Sequence, residues 1–252
     1  MKLKFQILLA ALCGLLLAAP VRAADAAAAP VIDPEALRVL QAVSDQLTAA
    51  KAFSFQAEIW EDAVLFGHKV TTTRTVEAKV RRPDGLQMEV RSPKHSRGFW
   101  YDGKSLTLLD RVGNLYGTIA VPDTLDKVLD AAGDKFGITF PLEDVLVGNL
   151  DASVLPEIKG GAYFGKVTVL GTPCVHIAFS TDVVDWQLWI TDDASPRIRK
   201  MTITYKREDT APQFTALFTE WKLSGELSDA TFAFTPPAGS AKIEVLPAAD
   251  QE

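Results

Sequence analysis

From Phe53 onward the sequence alternates apolar and polar side chains in run after run. Phe53, Phe55, Ala57 and Ile59 are interleaved with Ser54, Gln56, Glu58 and Trp60; Val70, Thr72, Arg74, Val76, Ala78 and Val80 fall at every second position; Leu86, Met88 and Val90 alternate with Gln87, Glu89 and Arg91. A period of two places successive side chains on opposite faces of a strand, so such runs belong in a sheet with one buried face. Turn chemistry separates them at Gly67, Pro83-Asp84-Gly85, Gly171-Thr172-Pro173, Thr181-Asp182 and the stretch from Asp192 to Pro196. Connections this short join antiparallel neighbours. The sharpest lies in residues 99–110, Phe-Trp-Tyr-Asp-Gly-Lys-Ser-Leu-Thr-Leu-Leu-Asp. Asp-Gly between apolar arms predicts a two-residue turn at Asp102-Gly103, with Tyr101 opposite Lys104 and Phe99 opposite Leu106.

Helical spacing interrupts this pattern. Asp33-Pro34-Glu35 supplies an N-cap, a proline at the first helical position and an acid in the first turn, and Leu37, Leu40, Val43 and Leu47 form one apolar stripe up to about Ala50. Pro122-Asp123 opens a second helix with Leu125, Val128, Leu129 and Ala132 on its apolar face and Gly133 as its stop; residues 141–147 suggest a short third. Strands resume from Tyr163 to Leu223. Phe232, Phe234 and Pro236-Pro237 end them, with an edge strand near Ile243 to Val245. The expected class is α+β, mainly β: a curved antiparallel sheet, an incomplete barrel of about ten strands, with helices covering the concave face, because open sheets that wide curl. One domain is expected over residues 33–247, with a tail at 248–252.

The first 23 residues read as a cleavable signal peptide. Lys2 and Lys4 precede an apolar run over residues 5–19, and Val21-Arg22-Ala23 offers a small-x-small cleavage pattern. Lipidation at Cys13 fits poorly, because Leu12 stands where a small residue is expected. Residues 24–32 form an Ala-rich flexible linker. The mature chain is expected in the periplasm, with no transmembrane segment. It would keep one cysteine, Cys174, which cannot form an internal disulfide. The formal net charge of −6 becomes more negative once the basic leader is removed, which argues against nucleic acid as a partner. One basic region stands out locally. Lys79, Arg81, Arg82, Arg91, Lys94 and Arg97 are either a solvated face or a docking patch for an acidic partner or lipid headgroup.

Motifs for catalysis are weak. Residues 98–105 match the phosphate-binding pattern G-x-x-x-x-G-K-[ST] letter for letter, but three aromatics fill the loop and a strand, not a helix, follows. Cys174 and His176 share one strand face and could begin a nucleophile pair or a metal site, although no other ligand has fitting spacing. Asp182, Asp185, Asp192 and Asp193 flank Trp186 and Trp189, a possible sugar site more simply read as turns. No cofactor or metal is expected. The apolar wall of a cavity is assigned to Phe55, Trp60, Met88, Trp100, Trp186, Trp189 and Trp221.

Several segments resemble known families. Residues 82–90, Arg-Pro-Asp-Gly-Leu-Gln-Met-Glu-Val, followed by Trp100-Tyr101-Asp102-Gly103-Lys104-Ser105-Leu106, resemble the LolA and LolB lipoprotein-carrier fold. Tyr101-Asp102-Gly103-Lys104, Gly171-Thr172-Pro173-Cys174-Val175-His176, Asp185-Trp186-Gln187-Leu188-Trp189-Ile190 and Phe232-Ala233-Phe234-Thr235-Pro236-Pro237 are similar to recurring segments of predicted periplasmic proteins of domain of unknown function family 2092. The resemblance implies a LolA/LolB-like half-barrel with a helical lid. It also implies an inner-strand arginine paired with lid-helix carbonyls, for which Arg74 is the candidate by strand phase. The expected function is a non-enzymatic carrier of an acyl chain, lipid or lipoprotein moiety. The rival readings are an envelope scaffold or sensor that binds a protein partner without an internal ligand, and an enzyme using Cys174 and His176.

Overall fold

A computed structural model of the chain describes residues 31–148, 150, 155–223 and 225–248. The expected signal peptide, Cys13, most of the linker and most of the tail lie outside the described residues.

Twelve strands form one sheet. The first meander is β1 (Ala52–Leu65), β2 (His68–Arg81), β3 (Gly85–Arg91), β4 (Ser96–Tyr101), β5 (Ser105–Asp110) and β6 (Leu115–Ala120). The second is β7 (Gly160–Val169), β8 (Thr172–Ser180), β9 (Val184–Thr191), β10 (Ile198–Tyr205) and β11 (Gln213–Lys222). They join where β11 pairs antiparallel with β1. A two-residue strand, β12 (Ala241–Lys242), lies parallel to β6 at one edge, and β7 forms the other. The edges do not meet, so the curved sheet stays open. It has twelve strands rather than about ten.

The tight hairpin forms with a different register. Tyr101 faces Leu106 and Phe99 faces Leu108. The Asp102 carboxylate accepts the backbone N–H groups of Lys104 (3.0 Å) and Ser105 (2.8 Å). Asp102 thus becomes the first corner of the turn, and of the pair Asp102-Gly103 only Gly103 has a positive φ (+88). Those two amides are occupied by a side chain of the same loop, so the phosphate-loop pattern has no free amides there, and β5 follows as a strand.

Helix α1 (Pro34–Ala49) begins at Asp33, whose side chain accepts the N–H of Glu35 at 2.8 Å. It buries Val39, Leu40, Val43 and Leu47 against the concave face. Helix α2 (Leu125–Phe136) runs through Gly133 and stops at Gly137, in the left-handed conformation at φ +64, the one conformation that favours glycine here. Helix α3 (Glu143–Val147) is shorter than the sequence pattern suggests. Phe53, Phe55, Ala57 and Ile59 of β1 and Val76, Ala78 and Val80 of β2 face these helices and are all buried.

At one end of the sheet the helices converge on Arg82. Its Nη1 donates to the carbonyls of Leu47 (2.5 Å) and Ala50 (2.9 Å), and its Nη2 donates to that of Leu146 (3.0 Å). They lie at the C-terminal turns of α1 and α3, where helix carbonyls run short of partners and the dipole favours a cation; that of Leu47 also accepts the Ala50 N–H at 3.3 Å. The guanidinium also lies 4.9 Å from the Phe53 ring centroid. Arg82, not Arg74, is therefore the arginine that pairs with helix carbonyls; Arg74 pairs with Glu61 at 2.9 Å. A Cβ on Gly148 would lie 2.0 Å from Arg82 Nη2, which explains a glycine at that contact.

The outer face is strapped by the C-terminal segment. Phe232, at the end of the single-turn helix α4 (Asp229–Phe232), packs on Gly85, where any Cβ would come within 2.8 Å of the ring. Phe234 packs on Trp100 (5.0 Å) and Tyr116 (5.1 Å).

Replacing Arg82 by Ala removes the side-chain donors of three part-buried carbonyls, of which that of Leu47 keeps the Ala50 N–H at 3.3 Å. Urea unfolding is expected to show a loss of about 3 kcal/mol. Arg82→Lys should recover less than half of it, because a point charge cannot span both helix ends.

Candidate ligand-binding site

The turns β1–β2, β3–β4, β8–β9 and β10–β11 all lie at the end of the sheet opposite Arg82, as the strand registers require. There the connection from α2 to α3 leaves a mouth. Thr139, Phe140, Pro141, Leu142, Glu143 and Asp144 form its lid side; Val90 and Phe99 face Met201, Ile203, Tyr205 and Phe214 across it. Its volume is about 420 Å³. The Phe140 ring is 4.9 Å from that of Phe99 at 54°, which pins the lid to β4. Below the mouth, and sharing Asp144, Met201 and Ile203 with it, lies a smaller recess of about 120 Å³ continued by Val184, Trp186, Leu188 and Ile198. Among the described residues Asp144 is the one ionisable side chain in that recess lining.

The rim is charged. The Glu61–Arg74 pair and Arg97 stand on the strand side, Glu143 and Asp144 on the lid. Desolvation pushes the Asp144 carboxyl above the usual carboxylate range. Desolvation, with Asp144 and Asp130 nearby, does the same to Glu143. Arg74 Nε and Trp186 Nε1 are buried donors without a hydrogen-bond partner in the structure.

Among the expected wall residues, Trp186 lines the recess. Phe55, Met88 and Trp221 are also on the inner side but belong to the packed core. Trp221 stacks on Phe218 (5.1 Å) and donates from Nε1 to the Ile198 carbonyl at 2.8 Å. The other three are on the outer face. Trp60 faces Thr73 and Thr215 across the strands and borders a shallow external groove. Trp100 lies under Phe234, and Trp189 is sandwiched between His176 (4.4 Å) and Lys200 (4.4 Å). Their phase opposes that of Ile59, Phe99 and Leu188, their buried neighbours, so they cannot line the concave side.

The expected docking residues separate into two ends and one face. Arg81 is held by Asp84 and Asp229, and Arg82 by the helices. Lys79 lies on the outer face between Ser54 and Gln87. Arg91, Lys94 and Arg97 cluster around the β3–β4 turn at the mouth end. Sequence reasoning missed Phe140, Met201, Ile203, Tyr205 and Phe214. The apolar run Phe140-Pro141-Leu142 after a helix stop was the one available signal for the lid.

Cys174 and His176 are not arranged as an activated pair. Burial raises the Cys174 thiol, whose Sγ lies 3.4 Å from the Thr172 carbonyl. Burial lowers His176, whose Nε2 lies 3.1 Å from Gln187 Oε1. A thiolate–imidazolium pair requires the opposite shifts. Asp185, Asp192 and Asp193 are each engaged by a cation, Lys206, Lys166 and Arg197 respectively. Among the described residues, no cluster of three or more His, Cys, Asp or Glu could hold a metal ion, and no helix is long and apolar enough to cross a membrane.

The family model for the predicted periplasmic proteins DUF2092 matches residues 36–246. The chain belongs to that family. Among solved structures it is similar to the Mycobacterium tuberculosis lipoprotein LppX, at 12% identity and a TM-score of 0.48 over 78% of this chain and 100% of that one. It is also similar to LprF from Mycobacterium bovis, at 14% identity and a TM-score of 0.45 over 83% and 99%. A LolA superfamily protein from Nitrosomonas europaea aligns at 9% identity and a TM-score of 0.36 over 79% and 97%. At such identities the likeness concerns the fold alone. A sequence search of curated proteins finds no match.

Because the folded state raises the Asp144 pKa, ionisation of this group opposes folding. Its contribution is most favourable below the unfolded value of about 4 and is lost as pH rises through the folded value. Asp144→Asn is therefore expected to raise the thermal midpoint at pH 7 by roughly 1–3 °C, with the gain vanishing below about pH 4. For Cys174, labelling by an aromatic disulfide reagent should be at least ~100-fold slower in the native protein than in urea.

Proposed function

We propose that the protein is a non-enzymatic, periplasmic binding protein for a lipophilic ligand, an acyl chain or the acyl part of a lipid or lipoprotein, exported by a signal peptide at residues 1–23. The observation that carries this reading is the apolar recess around Trp186, Leu188, Ile198 and Met201, which shares Asp144, Met201 and Ile203 with the charged mouth at residues 139–145. An acyl chain gains ~0.8 kcal/mol per buried methylene. About ten methylenes would therefore supply ~8 kcal/mol before ordering and association costs, so micromolar binding also draws on polar contacts at the mouth. The two buried donors without partners, Arg74 Nε and Trp186 Nε1, suit a ligand with an acceptor such as a carboxylate or ester near the mouth. The scaffold reading is less well supported, since the six basic residues do not form one patch.

Titration with a fluorescent fatty acid tests the proposal. Wild-type protein is expected to bind at micromolar concentration, and Met201→Asp to weaken binding at least tenfold while remaining folded by circular dichroism. Native mass spectrometry of protein taken from the periplasm should show lipid-sized mass increments. A ligand-free mass together with no uptake of added fatty acid would overturn the proposal.

A further inference from the structure

The hairpin joining β1 to β2 projects beyond the sheet. Pairing of β1 with β11 ends at Glu61, and pairing of β2 with β3 starts only at Thr75. Residues 62–71 are thus a two-stranded ribbon with no sheet neighbour along most of its length, reaching about 15 Å past the start of β11 and about 25 Å past the end of β3. Such ribbons are marginal alone. This one is tied at its base by the Asp62–Lys69 ion pair (2.8 Å), by Thr71 Oγ1 donating to Asp62 (2.7 Å) and by the Gln213 N–H donating to Asp62 (3.1 Å).

Its tip breaks two rules at once. Leu65 pairs with His68, so the central turn residues are Phe66 (φ +53) and Gly67 (φ +76). Positive φ at both positions marks a type I′ turn, which favours Asn-Gly or Asp-Gly; a bulky aromatic at the first position is disfavoured. The Phe66 ring is also 99% exposed, and Val64 and Leu65 beside it are each 50% exposed. Neither folding nor solubility gains from this arrangement. Backbone strain and an unburied aromatic at the same residue point to a use outside the fold.

The surroundings indicate the partner. The tip stands at the same end as the mouth, whose rim includes Glu61 and Arg74 at the ribbon's base. Beside the ribbon's base the β3–β4 turn carries Arg91, Lys94, His95 and Arg97, all exposed; among the described residues Lys94 and Arg97 make no ion pair. A protein receptor would need roughly 800 Å² of complementary surface. One ring and two half-exposed aliphatic side chains on a narrow convex tip offer about half of that at most. A fluid bilayer surface can enclose such a tip from every side, and anionic headgroups match the basic turn. We infer that the mouth end docks on anionic lipid bilayers, with Val64, Leu65 and Phe66 entering the headgroup–acyl boundary and Lys94 and Arg97 drawing the domain to the anionic surface through their field. This surface lies outside the recess, so the inference does not depend on the ligand-binding reading. If both hold, the mouth opens where a membrane would supply or receive an acyl chain.

Vesicle flotation with the exported protein tests this. Wild-type protein is expected to float with vesicles containing phosphatidylglycerol at low ionic strength, less so with pure phosphatidylcholine, and less in high salt. Phe66→Asn should reduce flotation at least tenfold. Asn suits the positive φ, so its thermal midpoint should equal or exceed that of wild type. Lys94→Glu combined with Arg97→Glu should remove the preference for the anionic lipid. Absence of wild-type flotation, or equal flotation by Phe66→Asn, would overturn the inference. Fatty-acid uptake by Phe66→Asn should match wild type, which separates this result from any failure of the recess.

Discussion

The contact on which the rest of the architecture depends is the Arg82 guanidinium. An open curved sheet needs its concave side covered, and helices are the available cover. Each helix brings C-terminal carbonyls with no partner of their own. Arg82 stands at the end of β2, where it reaches Leu47 and Ala50 behind α1 and Leu146 in α3. One rigid, planar donor thus joins the sheet to two helices that are about a hundred residues apart in sequence. The Thr48 hydroxyl reinforces the joint by donating to the Gly148 carbonyl at 2.8 Å.

Fixing one end this firmly gives the two ends different character. Near Arg82 the inner face is filled by Phe53, Phe55, Phe218 and Trp221, whose rings pack on one another at 5.1–6.5 Å. At the other end the lid is held chiefly by Phe140 on Phe99 and by the apolar underside of Leu142 and Val145. Desolvation holds the carboxyls of Glu143 and Asp144 above the usual range. Leu142 holds a left-handed conformation (φ +62) at the start of α3. A non-glycine residue costs about 1–2 kcal/mol in that conformation. Strain, a partly desolvated acid pair and empty volume thus all fall on the same side of the domain, and the projecting hairpin points the same way.

Much of the architecture was legible in the sequence because it is local. Period-two alternation is a property of neighbouring residues, and so are the Asp33 cap and the turns at Gly67 and Gly171. The errors arose where a side chain or a distant contact decided. Asp102 took two amides and moved the hairpin register. Gly133 could stay helical because Gly137 was a better terminator four residues on. Strand phase pointed to Arg74 for the helix carbonyls. Only the three-dimensional end of β2 shows that Arg82 reaches the helices, while Arg74 sits a strand length away beside Glu61. The mouth was nearly invisible, since its lining comes from β3, β4, β10, β11 and a loop, with no shared motif.

The tryptophans show why residue type alone misleads about a cavity. A large aromatic ring has the same transfer free energy in a wall, in a core or under a strap. Phase distinguishes inner from outer, but only once the concave face is known, and an outer face can bury aromatics as well. Here it does so by using their ring faces on each other. Phe164, His176 and Trp189 stack at 4.7 and 4.4 Å across β7, β8 and β9, and Lys200 closes the row. His176 and Trp189, covered on both faces within the row, present edges rather than faces to solvent, so neither is a platform for a flat ligand such as a sugar. The row stiffens the half of the sheet that carries the recess, and Trp186 is the tryptophan left facing that empty volume.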